Sequence, residues 1–238
     1  GKSELVIKVY PITRGGIRVA DLLEIGGFKD SDAYDVNFGF KSEVVNPDIF
    51  AGNGSPEVKN TATLFSGTAK MNAADGKVNY NSKMLVKEML ENGNVNNPAA
   101  AVNSGKTTDA TEGFDYVDKS VIFRLSVNAN GLDLTGAKNA KGESLGKAIV
   151  NDTLPEGWEF VEIASGKDYL IFEGSIGPAA SVDAKDLTPD TVSGLDANVS
   201  GRNATFTFTT LNQPYVILVK ARPTDEKIKE YFKTGIGQ

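Results

Sequence analysis

Val150–Phe160 reads VNDTLPEGWEF, and Val19–Phe28 reads VADLLEIGGF. Each segment begins with Val, has an Asp with a Leu two residues after it, and continues to a Gly and an aromatic residue. A strand-like stretch precedes each one, LVIKVY at Leu5–Tyr10 and VIFRLSV at Val121–Val127. The pattern indicates two unequal copies of one β-domain, and such repeats are typical of modules arrayed in a longer rod or stalk.

Alternating apolar and polar residues, rich in Val, Ile, Phe, Tyr and Thr, run through most of the chain and predict an all-β fold. The pairs Asn53-Gly54, Asn92-Gly93 and Asn130-Gly131 predict tight turns between strands. The predicted strands are Leu5–Tyr10, Gly16–Leu22, Tyr34–Val45, Val58–Phe65, Met84–Leu90, Val121–Asn128, Ala148–Leu154, Trp158–Ile163, Tyr169–Phe172, Asn203–Thr209 and Tyr215–Ala221.

Helical signals are few. The best one is Thr224–Phe232, because Thr224 suits an N-cap and acidic residues follow it in the first turn. Arg18–Ile25 has a weaker helical pattern and is an alternative to a strand there. Asn92–Glu112 and Gly174–Gly201 are rich in turn-forming residues and have little periodicity, so we interpret both as loops.

The junction between the two copies is predicted at Gly67–Gly76, a polar stretch that follows a strand. It divides the chain into a domain at residues 1–70, expected to be truncated at its N-terminus, and a larger domain at residues 71–238. We expect the larger domain to have long loops and to lack its last strand.

The composition excludes several functional classes. The 238 residues carry a net charge of −6 without a basic cluster, so we expect no nucleic-acid partner. There is no His and no Cys, which excludes the usual catalytic triads and disulfides, and we expect no enzyme activity, no cofactor and no metal. No run approaches the roughly 20 apolar residues of a membrane span. The N-terminus enters a strand pattern at once, so we interpret the chain as an excised, mature fragment without a signal peptide.

Three segments match a known pattern in their residues and belong to an ordered set: Asp152–Pro155 followed by Gly157, Pro214–Asp225, and Asn60–Leu64, which reads NTATL. Together they resemble the isopeptide-forming, immunoglobulin-like domains of pilins and surface adhesins of Gram-positive bacteria. The resemblance covers most of the chain and is patchy over residues 1–50. It implies tandem immunoglobulin-like β-sandwich domains.

The resemblance also implies a particular cross-link. In that family a Lys on the first strand is joined to an Asn on the last strand of the same domain, and a nearby Asp or Glu promotes the reaction. An apolar core disfavours the ammonium form, so the amine can attack the Asn amide carbon. The same core keeps the acid protonated, so that it hydrogen-bonds the amide oxygen.

Carried over to this chain, the resemblance implies Lys87 and Asp152 as the lysine and acid of the second copy. It implies Asn60 and Asp21 as the asparagine and acid of the first copy, with Lys8 as a fallback lysine. Structural roles without any reaction stay open as alternatives. The lysines would lie along the surface, the asparagine would be a polar residue at a strand edge, and the aspartates would cap turns.

Each copy is expected to hold only half of a cross-linking site. The matching Asn of the second copy would lie beyond Gln238, and the first-strand lysine of the first copy would lie before residue 1. We therefore expect no loss of ammonia in the intact mass. We also expect Lys87 to be at least partly buried and to contact an acid, with Asp152 as the first candidate.

The expected function is structural: a stalk or adhesin segment of a cell-wall-anchored, extracellular bacterial surface or pilus protein. Neighbouring repeats of the same chain and a host or cell-surface protein or glycan are the expected partners. The alternative is a carbohydrate-binding or docking β-module of a secreted enzyme. Such a module would present two or three coplanar exposed aromatic rings, whereas the chain has 8% aromatic residues and a single Trp, which favours the stalk.

Overall fold

The computed structural model describes residues 57–66, 68–79, 84–91, 97–103, 106–107, 110–136, 138, 141–144, 146–177 and 181–235. This part of the chain is all-β, with antiparallel strands and two helices. The strands are β1 (Glu57–Ser66), β2 (Ala69–Asn79), β3 (Leu85–Leu90), β4 (Lys106–Thr107), β5 (Val121–Val127), β6 (Ala148–Thr153), β7 (Trp158–Val161), β8 (Tyr169–Glu173), β9 (Leu195–Ser200), β10 (Asn203–Phe208) and β11 (Tyr215–Pro223). The helices are α1 (Ala110–Gly113) and α2 (Asp225–Gly235).

The predicted strands that fall within the described residues are confirmed, and each observed end lies within two residues of the predicted one. The predicted helix at Thr224–Phe232 is confirmed as α2. Thr224 caps it, since its Oγ1 accepts a hydrogen bond from Lys227 N at 3.3 Å. The predictions for residues 1–56 lie outside the described residues.

Two sheets enclose the main core. The larger has six strands, with β5 and β11 at its centre. Strand β3 pairs with β5 and has the two-residue β4 along one end of its other side, while β7 and β8 both pair with β11. The smaller has three strands in the order β6-β10-β9. The largest buried side chains between them come from the middle strands of each sheet and include Phe206, Phe208, Leu125 and Ile217. Burying such aromatic and aliphatic side chains stabilises a fold by about 1.5–3 kcal/mol each.

A second core covers the other face of the large sheet. Ile122, Leu218 and Phe172 lie on that face and are buried together with Val102 and Val182, which come from outside the strands. Strand β11 is therefore buried on both faces over Tyr215–Val219, although it belongs to an antiparallel sheet. The segments 97–103 and 181–184 act as a covering layer and not as free loops.

Two stretches that we predicted to be irregular contain strands. Gly174–Gly201, predicted as a loop, includes β9, in which residues 195, 197 and 199 are half-buried against the core and the residues between them are exposed. Its sequence LDANVS has weak β-propensity, so pairing with β10 along its whole length decides the conformation. The loop predicted at Asn92–Glu112 includes β4 and the first three residues of α1.

Most of the predicted junction at Gly67–Gly76 falls within β2, the second strand of a hairpin, because β2 begins at Ala69. Strands β1 and β2 pair antiparallel over their whole length, with one register shift between Leu64 and Phe65. Ion pairs from Lys59 to Asp75 at 2.7 Å and from Lys77 to Glu57 at 3.0 Å cross the ribbon. Strand β2 therefore runs through residues 70 and 71, and the register shift leaves Met71 between the paired residues Lys70 and Asn72. The division into domains at 1–70 and 71–238 stays a prediction.

Candidate functional site

Lys87 lies on β3, at the edge of the large sheet, and points toward the main core. Its register partner on β5 is Leu125, which is buried in that core. The side chain of Lys87 is 35% exposed, because the core is open to solvent along this edge. A lysine in this position has its aliphatic part among apolar neighbours and its ammonium near the surface.

Asp152 lies on β6, at the edge of the small sheet, and also points into the core. The residues of β6 alternate between inward and outward, and Asp152 follows the inward Val150 by two positions. Its register partner on β10 is Ala204, whose small side chain leaves room for a carboxylate. Only 7% of the Asp152 side chain is exposed. A buried carboxylate needs hydrogen-bond partners for both oxygens.

The two edge strands meet through these side chains. Lys87 Nζ donates a hydrogen bond to Asp152 Oδ1 at 2.7 Å. Lys87 Nζ also lies 4.0 Å from the centroid of the Phe123 ring, close enough for a cation–π interaction. Asp152 Oδ2 is buried and has no hydrogen-bond partner among the described residues. The site therefore holds a lysine amine beside a carboxylate with one unused acceptor.

The edge of β3 next to Lys87 has free backbone groups in the described structure. Asn128 N donates to Met84 O at 2.8 Å. In an antiparallel pair every second residue forms the backbone hydrogen bonds, so Val86 and Glu88 also face β5. The backbone groups of Leu85 and Lys87 therefore point away from β5. Strand β4 covers this side only at residues 89 and 90, and no other described strand pairs there.

Leu85 shows the same opening through its side chain. It shares the inward face of β3 with Lys87, yet it is 45% exposed. An inward-facing leucine is normally covered, and covering such a side chain stabilises a fold by about 1.5–3 kcal/mol. Along β3 and β6, no described part of the chain forms a layer that shields Leu85 and Lys87.

Of the five sequence-predicted site residues, the structure brings together Lys87 and Asp152. Asn60 lies on β1 opposite Gly76 of β2 and is exposed. Asp21 and Lys8 lie outside the described residues. The roles of all five in a cross-link stay predictions.

Sequence reasoning missed one side chain at the site and one on the opposite face of the large sheet. Phe123 is one, because its place under Lys87 depends on the diagonal register between β3 and β5. Arg124 is the other: it is fully buried on the outer face of the large sheet, where Nε donates to Val102 O at 2.7 Å and the guanidinium also donates to Val182 O. The sequence does contain a signal for Arg124, since it is the single charged residue within the apolar strand VIFRLSV.

Burial has the larger effect on the Arg124 guanidinium, whose pKa is lowered from its usual value although two acids lie nearby. Burial lowers the pKa of its guanidinium, while Glu88, at 3.2 Å from Nη1, and Asp183, at 3.6 Å from Nη2, raise it. The side chain ties both covering segments to the sheet, since Val102 belongs to one and Val182 to the other. Arginine suits this role because its planar group carries five donors.

The aromatic side chains that group near the surface do not form a flat platform. Phe114 meets Tyr116 at an interplanar angle of 73° and Trp158 at 80°. Edge-to-face contacts of this kind stabilise packing. Neither helix in the described part of the chain has the length and apolarity that crossing a membrane requires.

The chain matches none of the protein-family models against which it was compared, and a search of curated proteins found no match either.

Proposed function

We propose that this chain is a structural or adhesive segment of a bacterial cell-surface or pilus protein, built from tandem immunoglobulin-like sandwiches. The observation that carries the proposal is the pairing of Lys87 with Asp152 across the open edge of the two sheets. The resemblance implies these two residues from separate parts of the chain, and their Nζ and Oδ1 atoms lie 2.7 Å apart. Asp152 Oδ2 is buried and has no hydrogen-bond partner among the described residues, so it is available to a substrate amide.

In the proposed reaction, Asp152 accepts a proton from Lys87 Nζ, and the neutral amine attacks the side-chain amide carbon of an Asn on an added strand. The second proton that Nζ loses goes to the departing amide nitrogen. The new bond joins Nζ to that carbon, the bond to the amide nitrogen breaks, and ammonia leaves. Asp152 in its acid form would hydrogen-bond the amide oxygen through Oδ2 while charge develops there. Once the added strand covers the edge, it would limit access of water together with the Phe123 ring and the apolar core.

The product would tie the first and last strands of a sandwich together. Such a bond constrains the unfolded chain as a disulfide does, without needing cysteine, which the chain lacks. A module held in this way suits a load-bearing stalk. In a protein anchored to the cell wall, the module would contact neighbouring repeats of the same chain. Its exposed loops would be available to a host protein or glycan. We propose no enzymatic turnover, because the amine is consumed in the reaction.

The carbohydrate-binding alternative has less support. It requires coplanar exposed rings, whereas the rings grouped around Phe114 meet edge to face.

The test is the intact mass of a chain extended at its C-terminus by a flexible linker and a second copy of residues 57–66. We expect the mass to fall by about 17 Da, the mass of one ammonia. Lys87→Arg keeps the charge but removes the amine nucleophile, so its mass should equal that of its sequence. Lys185→Arg is the matched control and should still show the loss. An unchanged mass in the extended chain would contradict the proposal.

A further inference from the structure

We propose that the open edge of β3 binds strand β1 of a second copy of this chain, with Asn60 of that copy beside Asp152. The inference rests on the site of the proposed function, although it needs no covalent step. It concerns assembly between chains, whereas the proposed cross-link lies within one domain.

The acceptor side has three features that a bound strand would satisfy together. The backbone groups of Leu85 and Lys87 point away from β5, where an added strand can pair with them. The inward-facing Leu85 side chain is 45% exposed and would be covered. The buried Asp152 Oδ2 would gain a donor. Two of these features lie on β3 and the third lies on β6, and the ion pair between Lys87 and Asp152 brings them together.

The chemistry of the pair selects the group that faces Asp152. Lys87 already supplies one positive charge to the Asp152 carboxylate through Oδ1. A second cation would bring an uncompensated charge into a half-buried site, and an acid would face the carboxylate with a like charge. A neutral N–H donor, as in a side-chain carboxamide, meets the remaining need of Oδ2.

Strand β1 carries such a group in the required alternation. Asn60, Ala62 and Leu64 are exposed, and Leu64 is 65% exposed. Residues two apart in a strand share a face, so the three form one row. If Asn60 is level with Lys87, then Ala62 and Leu64 continue the row of side chains along the open core. The row pairs one carboxamide with small and apolar neighbours.

Strand β1 also has a free edge in the described structure. It pairs with β2 on one side, and no described strand pairs with it on the other. A two-stranded ribbon alone is marginally stable in water. Joining its free edge to β3 of another copy would extend the six-stranded sheet. Because donor and acceptor are different surfaces, the contact is heterologous and leads to head-to-tail chains of copies.

The test uses the full chain and a fluorescein-labelled peptide with the sequence of residues 57–66, EVKNTATLFS. Fluorescence polarisation should show saturable binding. Leu85→Lys, which places a charge on the free edge, should weaken binding at least about tenfold. The matched control is Ile149→Lys: Ile149 is exposed on β6 but on its outward face, so binding should be unchanged.

A peptide with Ala in place of Asn60 should bind several-fold more weakly, because Asp152 Oδ2 then gains no donor. Thermal melts of the two protein variants establish that both are folded. Absence of saturable binding, or equal binding by Leu85→Lys and the unmodified chain, would overturn the inference.

The mass of the complex separates this inference from the proposed function. Binding with the loss of about 17 Da supports both. Binding without any loss supports strand docking and counts against the cross-link. A cross-link in the extended chain with no binding of the free peptide would overturn docking between copies and leave the proposed function standing.

Discussion

Lys87 and Asp152 form an ion pair that joins the edge strand of one sheet to the edge strand of the other, with 2.7 Å between Nζ and Oδ1. The two residues are 65 positions apart in the sequence. The pair is uneven: the carboxylate is buried, whereas the amine reaches solvent. Its consequences for stability differ from those of a surface pair.

Removing the Lys87 charge should destabilise the fold. In Lys87→Met the buried Asp152 carboxylate loses its cation, and we expect the free energy of unfolding to fall by about 2 kcal/mol. A double-mutant cycle with Asp152→Asn, followed by urea denaturation, measures the coupling. The control is the exposed Lys185–Glu173 pair, at 3.0 Å, for which we expect less than about 1 kcal/mol. Equal coupling in both pairs would show that burial of Asp152 adds nothing.

Arg124 should be the charged side chain with the largest effect on stability. Arg124→Met leaves the carbonyls of Val102 and Val182 without their donors, and we expect a loss of about 3–5 kcal/mol. Amide hydrogen exchange should accelerate in segments 97–103 and 181–184. The control is Arg222→Met, because Arg222 forms an exposed pair with Glu159. Unchanged exchange in both segments would mean that Arg124 does not hold them to the sheet.

Asp118 should contribute to acid sensitivity. Hydrogen bonds from Lys220 Nζ and then from Ser120 Oγ hold the pKa of Asp118 below its usual value of 3.8. Since the folded-state pKa is the lower one, the contribution is present above pH 3.8 and is lost as the pH falls toward the folded-state pKa. Asp118→Asn should therefore lose less stability than the unmodified chain between about pH 5 and pH 2.

Urea titrations at several pH values give this comparison. In a Lys220→Met background the Asp118→Asn substitution should have a smaller effect, because the principal donor has gone. The same acid dependence with and without Asp118 would contradict the assignment.

Strands with strong local signals could be predicted from the sequence. Strands β5 and β10 alternate β-branched or aromatic residues with other residues, and their predicted ends differ from the observed ones by at most one residue. Strand β2 could not be predicted, because AKMNAADGKVN is polar and gains its conformation from pairing with β1. The same holds for β9, which depends on β10. In both cases a non-local partner overrides a weak local preference.

The candidate site was partly predictable. Lys87 and Asp152 followed from a resemblance of short motifs, and their contact depends on two sheets meeting at their edges. Periodicity along a single strand contains no information about which edges meet. The unpaired Oδ2 and the exposed inward face of Leu85 likewise follow from packing across the sheets. Residues 1–56, with Asp21 and Lys8, add nothing to this comparison.

The most direct test of the central claim, that an added strand completes the open edge at Lys87, is amide hydrogen exchange on β3. With the peptide of residues 57–66 in excess, we expect slower exchange of the Leu85 and Lys87 amides, which point away from β5. The amides of Val86 and Glu88 already face β5 and serve as internal references. Unchanged exchange at Leu85 and Lys87 with saturating peptide, or protection confined to another edge, would contradict the claim.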